Sequence, residues 1–573
     1  MGIIWLAGPI TWHSSRVAEG YDYDAMTEHE RWLISARWHD WYTADWDYGQ
    51  TTVEFFCAAI GCCLLFNVYA RLRARSSGTN RVIDKLTAVL RYTVARQWQF
   101  RLGTTYYAPP LAAIIAVCGL WIFVLTLTLA ARPFYWPNPA MGESPPLATR
   151  SGWISIGIMP FMIAFATKVN WVSVLTGTSH EKLQVVPSVE CAHHVCVLFP
   201  TPSHITSLTH TFPFIVTNIR MGMMQAMWDP HASSFYWTGV AALIPQTFLV
   251  ALSWGVIRNR YYEIFKKDYF WATLAIWGST WLIRTGRTLW NTRLGLRTVV
   301  SSVGSTSDLV KLRIATPASF KWVPGQHVFV RVFGLGVHAF SSHPFTINSV
   351  HAVGEGKEAE VELILRVHGG ITRALAKKVE DGKREWTTRV AIDGPYGGVH
   401  APLERYEKVY LLAGGTGATF VLPILTDLAA KMKAGGKDVV CKRVEVVIAV
   451  PDSDAYTWMH PSIAAATSKL PDTDTALGVR VYHTRAYSGK GDNKSDIEAD
   501  LESVSSESEL TGRPDLFGIV REAHESAEKV AIIACGPDSF LYDVRNAVAD
   551  AQLVIVDGFG KCKDLFLHTE TYR

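Results

Sequence analysis

Three short stretches in the C-terminal half carry residue types suited to redox-cofactor chemistry. They are His343-Pro344-Phe345-Thr346, Ala413-Gly414-Gly415-Thr416-Gly417-Ala418 and Cys535-Gly536-Pro537. Val409–Ala413 is an unbroken apolar run that leads into Gly414, Gly415 and Gly417 and then into a helix-like segment from Ala418. Glycines at such a turn let the backbone approach a pyrophosphate, and the helix start offers N–H groups and the positive end of its dipole. Cys535-Gly536-Pro537 follows a second apolar run, Val530–Ala534. A polarisable thiol at a strand end, beside turn residues, can lie against a nicotinamide where hydride leaves. His343–Thr346 offers an aromatic face, a hydroxyl and a fixed backbone, which suit an isoalloxazine ring that must be stacked and hydrogen-bonded. Gly369-Gly370-Ile371-Thr372, between a strand and a helix-like run, is a second phosphate cradle by the same logic. Asp393-Gly394-Pro395-Tyr396-Gly397 reads as a turn closing the barrel, with a cofactor contact as the other reading. Taken alone, each stretch is also an ordinary turn. In this order, about 70 and about 120 residues apart, they read as a flavin barrel followed by a nicotinamide-nucleotide domain.

The elements that must position these residues are visible as changes of pattern. Leu309–Ile314, Val328–Val332 and Val361–Val367 alternate between Gly and Pro turns, as the strands of a small antiparallel barrel do. From Lys408, apolar strands (Val409–Ala413, Val444–Val450) alternate with a helical stretch at 418–434, the pattern of an α/β domain with a parallel sheet. The expected division is a flavin barrel at 293–405 and a nicotinamide-nucleotide domain at 406–573. Residues 487–515, rich in Ser, Asp, Glu and Gly, are expected to be a flexible insertion.

Upstream the chain is apolar and aromatic. It has 573 residues, of which 12% are aromatic, including 21 Trp, a composition that suits a membrane protein with interfacial belts. Apolar spans are read at Phe55–Ala70, Ala108–Ala131, Trp153–Leu175 and Tyr236–Ile257, with a short last one at Tyr269–Ile283 and a poor candidate at 192–217. A crossing needs about 20 apolar residues, so the first and last are marginal. Arg71, Arg73, Arg75, Arg81, Lys85, Arg91, Arg96 and Arg101 lie between the first two spans against Asp84 alone. The positive-inside rule puts this loop in the cytosol and residues 1–50 outside. Six crossings from that start would leave the soluble half outside, so one crossing is lost or the last segment does not cross. The membrane domain is placed at 51–290.

Composition also excludes some classes. A formal net charge of +4 spread over 573 residues argues against a nucleic-acid footprint. The nine cysteines contain no CxxC pair, so neither a disulfide framework nor a zinc site is read.

The chain resembles fungal ferric/cupric reductases, relatives of the superoxide-producing NADPH oxidases, over nearly all its length. His343–Thr346, Gly414–Leu425 and Ala534–Phe540 match the family's FAD and NADPH motifs. Leu175-Thr176-Gly177, His210-Thr211-Phe212-Pro213-Phe214 and Arg258-Asn259-Arg260-Tyr261-Tyr262-Glu263 resemble its membrane segments. The resemblance implies electrons passing from cytosolic NADPH to FAD, to two stacked haems b, and on to extracellular ferric or cupric chelates. It implies a multi-pass protein of the plasma membrane lipid bilayer, with FAD and NADPH domains in the cytosol and Cys535 at the catalytic step. It further implies that His343, Pro344, Phe345, Thr346, Gly369, Gly370 and Thr372 hold the flavin. Gly414, Gly415, Thr416, Gly417, Gly536 and Pro537 would hold the nucleotide.

The chain departs from that family in two places. The family carries two His pairs, each about 14 residues apart, or about 21 Å along a helix. Here His210 fits one member of the first pair as an iron ligand, but its partner position holds Cys196, with His193 and His194 out of step. The second pair is missing, since no His occurs between His231 and His327. Against that family about twenty residues are absent between Lys267 and Asp268, and Pro187–His204 is inserted or shifted sequence. A gene-model error and a diverged, haem-poor relative both fit. The chain as written is expected to carry at most one haem. An NADPH oxidase making superoxide is the alternative enzyme. A membrane protein with only residual diaphorase activity or a scaffold role is the alternative outside transmembrane electron transfer. Penultimate Tyr572 could cover the flavin.

Overall fold

The computed structural model describes residues 23–36, 42–75, 81–102, 104–130, 134, 146–166, 171–177, 271–292, 295–303, 308–351, 359–382, 384–436, 438–451, 453–470, 476–484 and 507–571. The expected segments at 192–217 and Tyr236–Ile257, with His193, His194, Cys196 and His210, lie outside the described residues, as does Tyr572. The chain divides into two units: Met1–Val68 with Ala112–Leu282, and Tyr69–Leu111 with Ile283–Arg573.

Helix α1 (Glu28–Ala36) starts on a reciprocal cap. Glu30 N–H donates to the Thr27 hydroxyl at 3.3 Å, and the Thr27 N–H donates to the Glu30 carboxylate at 2.8 Å. Helix α2 is one rod from Tyr42 to Arg75. Its apolar stretch, Tyr48–Arg73, is 26 residues long. The first span is therefore not short. Small and polar residues at its start mask a helix that the apolar count alone begins at Phe55. After α3 (Arg81–Ala95) and the hairpin β1 (Gln99–Leu102) and β2 (Thr104–Tyr107) comes α4 (Leu111–Leu129). Among the described residues, α2 and α4 are the helices long and apolar enough to cross a membrane. The expected span Trp153–Leu175 is two helices instead, α5 (Pro146–Ala166) and α6 (Trp171–Thr176).

Close approach holds the first unit together. A Cβ on Gly157 of α5 would lie 2.8 Å from the Gly49 carbonyl of α2, so the two backbones touch where neither carries a side chain. Around that crossing the Phe55 and Phe123 rings stack at 4.0 Å, and those of Phe56 and Phe161 at 4.7 Å. Ile154 and Ile158 are fully buried beside them. Helix α7 runs from Trp271 to Thr292, well past the expected end at Ile283. Its last turns leave the apolar pattern but carry Arg284 and Arg287, which find partners in the barrel.

The barrel comprises β3 (Leu296–Ser302), β4 (Leu309–Thr316), β5 (Gln326–Val332), β6 (His343–Thr346), β7 (Ala359–Arg366) and β8 (Glu385–Gly397). Its antiparallel order is β6-β5-β8-β3-β4-β7. Strands β6 and β7 also touch, and just past β6 the Asn348 N–H donates to the Glu362 carbonyl at 2.8 Å, which nearly closes the ring. Alternate residues (Val300, Leu312, Val328, Val330, Leu363, Ile392) fill the interior. Helix α8 (Gly370–Asp381) packs Ile371, Leu375 and Val379 into that core.

The last domain is a six-stranded, all-parallel sheet. In chain order it runs β9 (Lys408–Gly414), α9 (Ala418–Ala434), β10 (Arg443–Val450), α10 (Ser453–Thr457) and α11 (His460–Thr467). Then come β11 (Leu477–His483), β12 (Glu507–Thr511), α12 (Leu516–Ser526), β13 (Lys529–Gly536), α13 (Asp538–Asp557) and β14 (Asp564–Thr571). The strand order is β12-β11-β10-β9-β13-β14. The central strands β9, β10 and β13 are apolar nearly throughout because both faces are covered. Val409, Leu411 and Ala413 point into the cluster that includes α9, and Tyr410 and Leu412 into the one that includes α13.

Two expectations fail here. Residues 507–515 are not part of a flexible insertion. Glu507–Thr511 pairs with β11, and the Asp515 side chain caps α12 by accepting from the Gly518 N–H at 3.0 Å. An exposed edge strand needs no apolar face, so its acidic composition read as loop. Asp393–Gly397 is not a turn either; it is the end of the 13-residue strand β8. Gly394 makes that possible, because a Cβ there would lie 3.0 Å from Val328 Cγ1 on the neighbouring strand.

Candidate functional site

The sheet order reverses between β9 and β13. From β9 the chain proceeds outward through β10, β11 and β12, then returns to place β13 on the other side. In such sheets ligands bind outside the carboxyl ends of the strands at the reversal. Two of the sequence motifs sit at this point. Cys535 is registered against Ala413, so Gly536 lies beside Gly414. The contact is between backbones. A Cβ on Gly414 would be 2.8 Å from Pro537 Cδ, and one on Gly536 would be 3.2 Å from Gly414 Cα. Gly414 is therefore the close-approach glycine, and spacing alone does not distinguish it from Gly415 and Gly417.

Gly415 differs in kind. Its φ is +59°, and a Cβ there would meet nothing within 4 Å, so the space over the turn is open. Gly417 forms the N-cap of α9 without a side-chain cap, and Thr416 accepts a hydrogen bond from the Thr419 hydroxyl at 2.9 Å. Residues 415–417 form a 3-10 turn continuous with α9, and the Ala418 N–H donates to the Gly415 and Thr416 carbonyls. What the helix start offers a phosphate is the positive end of its dipole beside the open turn. Pro537 begins α13 as its N-cap. Cys535 is 1% exposed, and its side chain belongs to the apolar cluster with Leu411, Ala413 and Phe420.

Residues that the motifs do not reveal gather at the same edge. The ring of Phe420, in the first turn of α9, stacks on His568 of β14 at 5.9 Å with planes 7° apart. On the barrel side, a Cβ on Gly325 would lie 3.1 Å from the Phe420 ring. His568 is within 3.1 Å of the Glu570 carboxylate, and Glu570 is registered against Cys535. Only the placement of β14 next to β13 brings His568 and Glu570 here. The one sequence signal was a C-terminal apolar run after a helix, which adds a parallel strand.

In the barrel, Gly370 begins α8 with φ +54° and open space where its Cβ would be. The Thr372 hydroxyl donates to the Gly369 carbonyl at 3.1 Å and accepts from the His368 N–H at 3.0 Å, which holds the loop in shape. Strand β6 carries His343–Thr346 along the barrel edge. His343 Nε2 is 3.2 Å from the Ser341 hydroxyl. Phe345 is opposite buried Val328 and packs against the barrel core, so its ring is not the outward stacking face expected from the sequence. Pro344 and Thr346 face the other way, opposite Phe329 and His327. There the rings of His327, Phe329 and Tyr396 cluster at 5.7 to 6.0 Å.

Beside that cluster lies a charged knot. Asp393, 5% exposed, accepts from Arg284 Nε at 2.6 Å, from Arg287 at 3.0 Å and from the Tyr396 hydroxyl at 2.6 Å. Arg287 also hydrogen-bonds the Tyr396 hydroxyl and lies over its ring. Burial alone would raise the Asp393 carboxyl, but the Tyr396 and Arg284 hydrogen bonds and the arginine charge hold it below its usual range. Burial and the Asp393 charge push the Tyr396 hydroxyl up.

Both cradles fit dinucleotides, with open space over Gly370 and Gly415 and helix N-termini behind. For haem the described residues offer nothing. No histidine occurs in α2, α4, α5, α6 or α7, and no His/Cys/Asp/Glu group able to hold a metal occurs among the described residues.

Comparison with known proteins assigns each part. Residues 151–277 match a model described as ferric reductase like transmembrane component, 296–400 an FAD-binding domain, and 406–549 a ferric reductase NAD binding domain. A probable cell surface ferric reductase of Aspergillus oryzae is 31% identical over 417 residues, covering 66% of this chain and 52% of that protein. Ferric/cupric reductase transmembrane component 7 of Saccharomyces cerevisiae is 23% identical over 561 residues, covering 86% of this chain and 85% of that protein. Component 2 of the same yeast is 26% identical, covering 82% and 68%. The chain thus spans about half the length of the Aspergillus relative and most of the yeast ones. With three successive domain matches in the expected order, the chain belongs to the fungal ferric/cupric reductase family.

Proposed function

We propose that this chain is a metalloreductase of the plasma membrane that takes electrons from cytosolic NADPH and delivers them to ferric or cupric chelates. The observation that carries the reading is the abutment of Gly414 and Gly536 at the sheet's reversal, beside a flavin-type barrel that packs on the same helix start. FAD, when bound, accepts a hydride and passes on single electrons. The chain's own residues do the positioning. The α9 N-terminus and the Gly415 turn take the nucleotide phosphates, and the α8 N-terminus with Gly369, Gly370 and Thr372 takes those of the flavin. Cys535 lies at the end of β13 where a nicotinamide ring would react, with Glu570 beside it on β14 and His568 two residues before Glu570. His343, Pro344 and Thr346 on β6 would hold the flavin ring. The domains run 51–290, 293–405 and 406–573. His210 would ligate a haem.

The test is NADPH-dependent ferric-chelate reduction by the full chain in opened membranes, where both faces are accessible. Reduction that persists with superoxide dismutase present supports the reading. Reduction abolished by the dismutase would make the chain a superoxide producer, and absence of any NADPH-dependent reduction would overturn the reading.

A further inference from the structure

Helix α3 is built the wrong way round for a soluble surface helix. Its buried positions are Asp84, Ala88 and Ala95. With Arg91 they form one face, at i, i+4, i+7 and i+11. That face docks on α13 and β14. Arg91 pairs with Asp564 and donates to the Leu565 carbonyl at 3.0 Å. Arg73 pairs with Asp84. Just beyond the helix, the Gln97 N–H donates to the Asn546 side chain at 3.3 Å, and Arg545 donates to the Gln97 side chain at 3.3 Å. The dock combines ion pairs and hydrogen bonds with the small apolar side chain of Ala88.

The opposite face is apolar and uncovered. Val82, Ile83, Leu86, Val89, Leu90 and Val94 project there, with Val82 76%, Leu86 61% and Val94 63% exposed. Only Thr93 interrupts it. Trp98 and Phe100, next along the chain, are exposed too. A face of this width left in water costs free energy that a soluble protein removes by burial or substitution.

Three observations identify what covers it. First, α3 connects two helices long and apolar enough to cross a membrane. Only residues 76–80 separate it from α2, a reach of roughly 20 Å at full extension. Second, Arg81 and Lys85 flank the apolar face, and Arg101 follows it, as expected opposite anionic headgroups. Third, Trp98 and Phe100 are the side-chain types that settle at the headgroup level.

We propose that α3 is an interfacial helix: it lies in the plane of the bilayer surface with Val82, Leu86 and Leu90 in lipid, while its Asp84–Ala88–Arg91–Ala95 face holds the nucleotide domain through α13 and β14. Such helices sink their apolar face about 5–10 Å into the headgroup boundary. The inference rests on the chain being embedded in a membrane, as proposed above.

The experiment places p-benzoylphenylalanine singly at residues 82, 86, 88, 90 and 122 of the full chain in nanodiscs of anionic phospholipid. Adducts after illumination are read by mass spectrometry. Ile122 is 66% exposed on α4, so lipid adducts there report membrane embedding by themselves. Expected are lipid adducts at 82, 86 and 90 about tenfold above those at docked residue 88. Lipid adducts at 122 with adducts at 86 to another part of this chain, to a second copy, or to nothing would overturn the interfacial helix while leaving the embedded domain standing. No lipid adducts at 122 would overturn both.

Discussion

The Gly414–Gly536 edge of the α/β domain and the Asp393 knot of the barrel are built by opposite means. At the first, backbone meets backbone: Gly414 and Gly536 touch because neither has a side chain, and no charged side chain takes part in that contact. At the second, a buried carboxylate, two guanidiniums and a phenol interlock, and the last turns of α7 are tied to β8 by Arg284 and Arg287. The first site is damaged by adding atoms and the second by removing charge. This follows from what each must do. A pyrophosphate needs a close backbone approach, whereas a helix end joined to a strand through side chains needs charge to hold it.

The sharpest break in that comparison is Gly414→Val. The new side chain has no room beside Pro537 and Gly536, and overpacking of this kind costs about 1–3 kcal/mol. NADPH affinity should fall by up to about a hundredfold, at 1.4 kcal/mol per tenfold, with FAD content unchanged. Equal loss of both cofactors in the purified protein would mean a general folding defect. Next in size is Asp393→Asn, which leaves Arg284 and Arg287 facing a neutral group. Breaking a buried pair from one side costs about 3 kcal/mol or more. The melting temperature of the reductase half should fall by about 8 °C with NADPH affinity intact.

Acid should erase that difference. Asp393 is depressed in the folded state, so its stabilisation is present above the unfolded carboxyl value of about 3.9 and is lost as pH falls through the lower folded value. The gap in melting temperature between wild type and Asp393→Asn should hold from pH 7 to about pH 5 and narrow below about pH 4. A gap independent of pH would remove the charge argument.

Smaller effects separate the glycines and the thiol. Cys535→Ala should slow hydride transfer about tenfold in stopped flow while leaving nucleotide titrations unchanged, since a positioning contact acts on rate. Gly415→Ala meets no atom but must hold φ at +59°, a strain of about 1 kcal/mol. It should therefore weaken NADPH about fivefold, well short of Gly414→Val.

Sequence pattern made the reductase half legible where it depends on period and glycine. The strands at Val409–Ala413 and Val444–Val450 and the helix at 418–434 stand where their apolar runs put them. Two kinds of feature stayed hidden. One is long-range pairing. Nothing in the sequence places His568 beside Phe420 or Glu570 opposite Cys535, because the order β9-β13-β14 is set by crossovers. The other is structure without an apolar signature. Edge strand β12 and the charged ends of α2 and α7 carry residues that read as loop, although backbone pairing, helix continuity and ion pairs hold them. Asp393 was legible as a motif member but not as the anchor of α7, since its partners lie 106 and 109 residues away.

The central claim is that the barrel and the α/β domain form one electron path joined at the Gly414–Gly536 edge. Anaerobic stopped flow on the FAD-loaded full chain tests it most directly. The account predicts that NADPH bleaches the flavin absorbance in a saturable manner, and that the rate at low NADPH collapses in Gly414→Val while the bound flavin remains. A chain that takes up no flavin, or a Gly414→Val protein that bleaches as fast as wild type at every NADPH concentration, would contradict it.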